Sequence, residues 1–212
     1  MTQHLAVPAY DHDADPATTG SGAEWEWRAF DQADRWPASL CEGVPTRVSA
    51  LRVETYVLTR ASPHTVRLWR DRVEVDRLVE QSPVGVDCWE SVLDETYPIG
   101  AAALRCLGDA LQVVPCSGGG TLSGPELLLA FLTRSCPGVR IAPIRAWAAQ
   151  CTIDECEVER ATVLIGVTLH DTLRLRHPRC DALLATLQRF GLDPGQNVSM
   201  VSMLKRHVGL GG

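Results

Sequence analysis

Glu24, Glu26 and Arg28 occupy alternate positions in the stretch E-W-E-W-R. On a β-strand these three share one face, and Trp25 and Trp27 share the other. Carboxylates are hard oxygen donors for Mg²⁺ or Mn²⁺, and a guanidinium presents a planar fork to phosphate or carboxylate oxygens. One face carrying both could line a cavity that holds an ion or an oxyanion. It could equally be the solvated side of a plain amphipathic strand with interior tryptophans. Charge at the same period recurs as Glu155, Glu157 and Glu159 in E-C-E-V-E-R, and as Arg174 and Arg176 in T-L-R-L-R-H. Three carboxylates on one strand face repel unless cations sit among them. Arg67, Arg70, Arg72 and Arg77 crowd the segment between, with Arg70 and Arg72 reading as surface charge. His64, His170, His177 and His207 have no acid or nucleophile at telling spacing, and no Ser or Cys sits in a nucleophile motif such as G-x-S-x-G. Met200, Met203 and Leu204 read as core packing.

The elements that must position these groups follow from composition and period. Residues 1–22 are rich in Asp, Pro, Gly and Thr and read as a flexible lead-in with solvated His4 and His12, followed by one folded unit over 23–212. TRVSALRVETYVLTR reads as a strand from its Val, Thr and Tyr content, and TVRLWRD as its hairpin partner across the S-P-H turn. In RVEVDRLVE, Val73, Val75, Arg77 and Val79 share one face, and Glu74, Asp76, Leu78 and Glu80 the other. Trp89 to Pro98 reads as loop and strand, and IGAAALRCLGDAL as a helix striped by Leu104, Leu107 and Leu111. CSGGGTLSG lacks G-K-[ST] and is read as a glycine linker rather than a phosphate loop. Ser123 would cap the helix PELLLAFLTR in a capping box with Glu126. The second strand-rich block breaks near Pro143 and turns near Asp154. DALLATLQRFGL is a helix closed by Gly191, and the tail adds a short last helix. Strands, helices, strands, helices without β-α-β alternation predict an antiparallel α+β fold.

At 212 residues the chain suits one large domain or two small ones, and 45% hydrophobic residues suffice for a sizeable core. A formal charge of -6 argues against nucleic acid or an anionic membrane surface as partner. Lys205 is the one lysine among 20 basic residues. The 8 cysteines form no C-x-x-C pair and, with no leader peptide apparent, read as reduced thiols in a cytoplasmic protein. No apolar run approaches the roughly 18 residues of a membrane span.

The order of these segments resembles the CYTH superfamily, the triphosphate tunnel metalloenzymes. EWEWR is similar to that family's E-x-E-x-K opening strand. ETYVLTRASPHTVRLWRDRVEVDRLVE resembles its tyrosine-, arginine- and lysine-bearing strands, and VDCWESVLDETYPI a connector of one bacterial branch. In the second half, APIRAW, CEVERATVLI, TLRLRHPRCDALLATLQRFGL and NVSMVSMLKRHVG continue the resemblance. It implies a closed antiparallel barrel of about eight strands, charged within and covered by helices outside. It further implies Mg²⁺ or Mn²⁺ held by Glu24, Glu26 and Glu159, with Glu157 replacing Glu159 if the register differs by one pleat. Arg28, Arg67, Arg77 and Arg145 would grip a triphosphate, with Arg28, Arg77 and Arg145 standing where the family has lysine. Arg174 and Arg176 stand where a late acidic pair is expected, which makes the cavity better for anions and poorer for Mg²⁺. On this resemblance Glu24, Glu26 and Arg28 are catalytic, and Arg174 joins the substrate-binding set. The implied activity is hydrolysis of a phosphoanhydride in triphosphate, polyphosphate or an organic triphosphate, with a nucleotide cyclase ranked lower. The alternatives are a barrel that binds a polyanion or a partner protein without efficient metal chemistry, and a barrel recruited to different chemistry.

Overall fold

The computed structural model describes residues 22–32, 36–37, 40, 44–114 and 120–211. Alternating charged and apolar residues make its strands: β1 (Ala23–Phe30), β2 (Arg47–Val48), β3 (Arg52–Leu58), β4 (Thr65–Trp69), β5 (Arg72–Gln81), β6 (Asp87–Thr96), β7 (Arg140–Ile153), β8 (Cys156–Ile165) and β9 (Thr168–His177). Every pairing among them is antiparallel. The order β7-β3-β4-β5-β6-β1-β9-β8 closes because β8 also pairs with β7. An eight-stranded closed barrel results, with β2 added alongside β7. Eight strands enclose a lumen about wide enough for side chains to fill.

Period-two alternation sends one set of side chains inward and the other out. The outward set is apolar where helices cover it. Helices α1 (Ala101–Leu111) and α2 (Pro125–Ser135) pack Leu107, Leu111, Leu128 and Leu132 with Val66, Leu68, Val73, Val75 and Leu93 of the wall. Helix α3 (Cys180–Arg189) packs Leu183 and Leu187 with Trp27, Val158, Leu173 and Leu175. Helix α4 (Met200–His207) behaves differently. Met200, Val201 and Leu204 pack with Leu58, Ala142, Ile144, Val163 and Ile165, which lie on the inward faces of β3, β7 and β8. One end of the barrel is thereby plugged with an apolar layer.

Several local expectations change. The 46–60 stretch divides into β2 and β3 rather than running as one strand, and Asp87–Thr96 is a continuous strand. Strand β7 passes through Pro143 unbroken. Pairing of β7 with β8 stops at Ile144↔Ile165, so Pro143 has β3 on one side alone, where a missing amide costs least. The cap of α2 is Gly124 with Pro125 at the first helical position, and Ser123 makes no side-chain cap. Asp154 and Glu155 form the expected turn, both with positive φ (49° and 64°), the mirror-image geometry that suits strand twist. Gly191, at φ +66°, follows α3 as expected. The lead-in, with His4 and His12, and the core of the glycine linker lie outside the described residues. The described cysteines Cys88, Cys106, Cys156 and Cys180 are free thiols. Among the described residues no helix is long and apolar enough to cross a membrane.

Candidate functional site

Registers determine which charges meet. Glu26 lies opposite Arg176, Arg28 opposite Arg174, Glu159 opposite Arg174 and Glu157 opposite Arg176, all on the inward face. From the other half of the barrel, Glu54 and Arg52 of β3, Arg67 of β4, and Glu74 and Asp76 of β5 face the same space. Small residues on β7 and β8, Ala146, Ala148 and Ala161, leave room for these long side chains. Above the apolar plug the lumen is thus a lattice of carboxylates and guanidiniums. The lumen opens into a concavity of 1930 Å³, lined at its inner end by Arg52, Glu54, Arg67, Gln150, Glu157, Arg174 and Arg176 and extending over the rim past Trp147 and Arg160 to the start of α2.

Each acid of the sequence-derived set has a basic partner. Glu24 pairs with Arg176. Glu26 receives the Nε of Arg28 at 3.3 Å and lies 3.8 Å from Arg176. Glu157 accepts from Arg174 Nη2 at 2.5 Å. Glu159, only 2% exposed, accepts from Arg52 Nη2 at 3.0 Å, Gln150 Nε2 at 2.9 Å and Arg174 Nη2 at 3.4 Å. Across the lumen, Tyr56 donates to Glu54 at 3.0 Å, Arg67 lies 3.7 Å from Glu54, and Arg67 also pairs with Glu74.

These contacts determine ionisation. Burial pushes the Glu159 carboxyl up, but the guanidiniums of Arg174, Arg52 and Arg28 and the Gln150 bond overcome it and hold the group well below the usual range. Glu26 is likewise lowered: Arg28, Arg174 and Arg176 outweigh its burial. Asp76 moves the other way. Burial raises it, with Glu74 and Glu26 adding to the rise against Arg67 and Arg176. Burial, and then Glu54, hold the Tyr56 phenol up, so it stays a neutral donor.

A resident divalent cation needs several carboxylate oxygens turned toward one point. Glu24, Glu26, Glu157 and Glu159 instead turn toward guanidiniums, and no group of three or more His, Cys, Asp or Glu side chains among the described residues could hold an ion. The donor set does not fit a resident Mg²⁺ or Mn²⁺. Arg174 and Arg176 supply the positive charge that balances these acids.

Seven of the nine expected site residues, Glu24, Glu26, Arg28, Arg67, Glu157, Glu159 and Arg174, meet at the lumen or its rim. Two do not. Arg77 is 54% exposed and pairs with Glu90 at 2.5 Å, because the alternation that sends Val73 and Val75 outward carries it with them. Arg145 is exposed on the outward face of β7 opposite Val53, since the inward positions belong to Ala142, Ile144, Ala146 and Ala148. Arg52, Glu54 and Glu74 were missed as site residues. Their signal was the same period as in E-W-E-W-R, present in R-V-E-T-Y and R-V-E-V-D.

No protein-family model matches the chain, and no curated protein matches it. Some solved structures superpose on it along most of its length. A conserved hypothetical protein from Pyrococcus furiosus superposes with a TM-score of 0.49 at 9% identity, over 85% of this chain and 99% of that one. A Hippeastrum protein described as a candidate adenylyl cyclase with a dominant triphosphatase activity gives 0.49 at 13% identity, over 87% and 96%. A candidate adenylate cyclase from Bacillus halodurans gives 0.45 at 9% identity, over 85% and 95%.

Proposed function

We propose that the barrel binds a small polyphosphate, inorganic triphosphate being the simplest, at the open end of its lumen. The observation that carries this is the convergence of Arg52, Arg67, Arg174 and Arg176, from three separate strands, on one concavity, with Arg28 buried beside Glu26 in the same lumen. Guanidiniums suit phosphate because their forks match two oxygens at once and remain charged at any physiological pH. The ion pairs form the resting state. Glu24 and Glu157, with side chains 30% and 42% exposed, can turn to solvent and release Arg176 and Arg174 to a ligand. The half-buried Glu26 and the buried Glu54 and Glu159 stay in place and hold the guanidiniums in position. Such a ligand agrees with the one that the order of sequence segments implies.

Metal-dependent hydrolysis of the bound triphosphate is the second reading. The same exposed carboxylates favour it, since once they leave Arg176 and Arg174 they can meet a cation that enters with the ligand. A thermal-shift panel of triphosphate, polyphosphate and nucleotides, each with EDTA or with Mn²⁺, tests both. Triphosphate is expected to raise the melting temperature by mass action, by the equivalent of about 2.7 kcal/mol at a hundredfold excess over Kd, and Arg67→Ala to abolish the shift. Phosphate release with Mn²⁺ that is lost in Glu26→Gln supports hydrolysis. A flat panel across all ligands sinks the binding proposal.

A further inference from the structure

Among the described residues, two buried nitrogens in the lumen lack a hydrogen-bond partner: Nε of Arg174 and Nε of Arg52. Each belongs to a guanidinium whose neighbouring Nη2 is engaged. Arg174 Nη2 donates to Glu157 at 2.5 Å and Arg52 Nη2 donates to Glu159 at 3.0 Å. The Nε–Nη2 edge is the side of arginine that meets two oxygens in parallel, so both edges are half used. Around Arg52 the nearest acceptor stands off, for its Nε lies 3.5 Å from Glu54 without a hydrogen bond. Around Arg174 the shortfall is one of supply, for Glu157 offers a single oxygen to Nη2 and none to Nε.

Glu159 holds both groups from behind. It is 2% exposed, bonds to Arg52 and Arg174, and does not line the concavity, whereas Arg52, Arg174 and Glu157 do. Glu157 is the exposed member, at 42%.

We propose that the Nε–Nη2 edge of Arg174, with Arg52 beside it, is an oxyanion site that Glu157 occupies in the resting protein and a two-oxygen anion takes over, without a divalent cation. This deepens the polyphosphate proposal and rests on it. The ligand's two oxygens fill both donors of the edge, and Glu157 turns into solvent. Glu157 is therefore a built-in competitor, and removing its charge strengthens binding. Phosphoryl and carboxylate oxygens share this chemistry, so inorganic triphosphate and citrate serve as separate probes.

Calorimetric titration of the full chain in EDTA tests the site. Wild type is expected to bind triphosphate more tightly than citrate, and Glu157→Gln to bind triphosphate several-fold more tightly than wild type. Arg174→Lys, which keeps the charge and loses the edge, is expected to weaken binding about tenfold or more. Arg77→Lys, on the outer wall, is expected to leave affinity unchanged. A Glu157→Gln affinity equal to or below wild type overturns the inference, and this readout survives even if Arg174→Lys does not fold. Binding that appears only with Mn²⁺ also overturns it while leaving the polyphosphate proposal standing. Absence of binding with or without Mn²⁺ overturns both, and citrate binding above triphosphate overturns the polyphosphate proposal and with it this assignment of the edge.

Discussion

Glu159 and Asp76 line the same lumen, yet their surroundings push their ionisation in opposite directions. Glu159 is held low by Arg174, Arg52 and Arg28 despite burial, so its ionised form stabilises the fold. That contribution is fully present above the unfolded carboxylate range, about pH 4.3, and is lost as pH falls below it toward the lower folded value. Asp76 is held high by burial and by Glu74 and Glu26. Its contribution has the reverse sign: stability falls as pH rises from the unfolded range through the raised folded value, and remains lower at pH 7. Urea titrations across pH are expected to show Glu159→Gln losing about 3 kcal/mol at pH 7, as when one partner of a buried pair is removed. The same variant should have a shallower acid limb below about pH 4.3. Asp76→Asn should gain stability at pH 7 and match wild type at low pH. A Glu159→Gln profile parallel to wild type below that range is incompatible with this account.

Elements differ in what they bury. Helices α1 and α3 cover the outer wall, whereas α4 supplies a plug, and Leu204 is its fully buried residue at 0% exposure. Ser199 starts α4 by accepting the backbone N–H of Ser202 at 3.1 Å, and Lys205 ties it to the β3–β4 turn through the carbonyls of Arg60 and Ser62. Leu204→Ala should cost about 3 kcal/mol in chemical denaturation, through lost transfer energy and the cavity left behind. Leu127→Ala on α2, where the leucine is 52% exposed, should cost under about 0.5 kcal/mol. Similar losses from the two would mean that α4 lies on the barrel without closing it.

For the whole molecule, closure is the decisive property. A closed sheet has no edge among its eight strands, and each barrel strand has a neighbour on both sides. In hydrogen exchange, amides of β8, held between β7 and β9, are expected to exchange with the slowest set. Those of the two-residue β2 should exchange among the fastest, and equal rates would indicate an open sheet. Much of this architecture was legible in the sequence, because a strand needs only a period of two and a turn needs only local geometry. The strand character of E-W-E-W-R, the Val73 and Val75 face, the turn at Asp154 and helix α3 all follow from such local rules. The likeness of segment order to tunnel enzymes pointed further, to closure and a charged interior. The order of residues alone therefore settles alternation: which side chains share a face. It could not determine which face is inside, since on β7 the inward positions hold alanines and Arg145 faces out, while on β9 Arg174 and Arg176 face in. Nor could it show that the carboxylates expected to hold metal meet guanidiniums from other strands. Those partners, Arg52 of β3 and Arg174 and Arg176 of β9, are brought within reach of acids on β1 and β8 by the registers of a closed barrel.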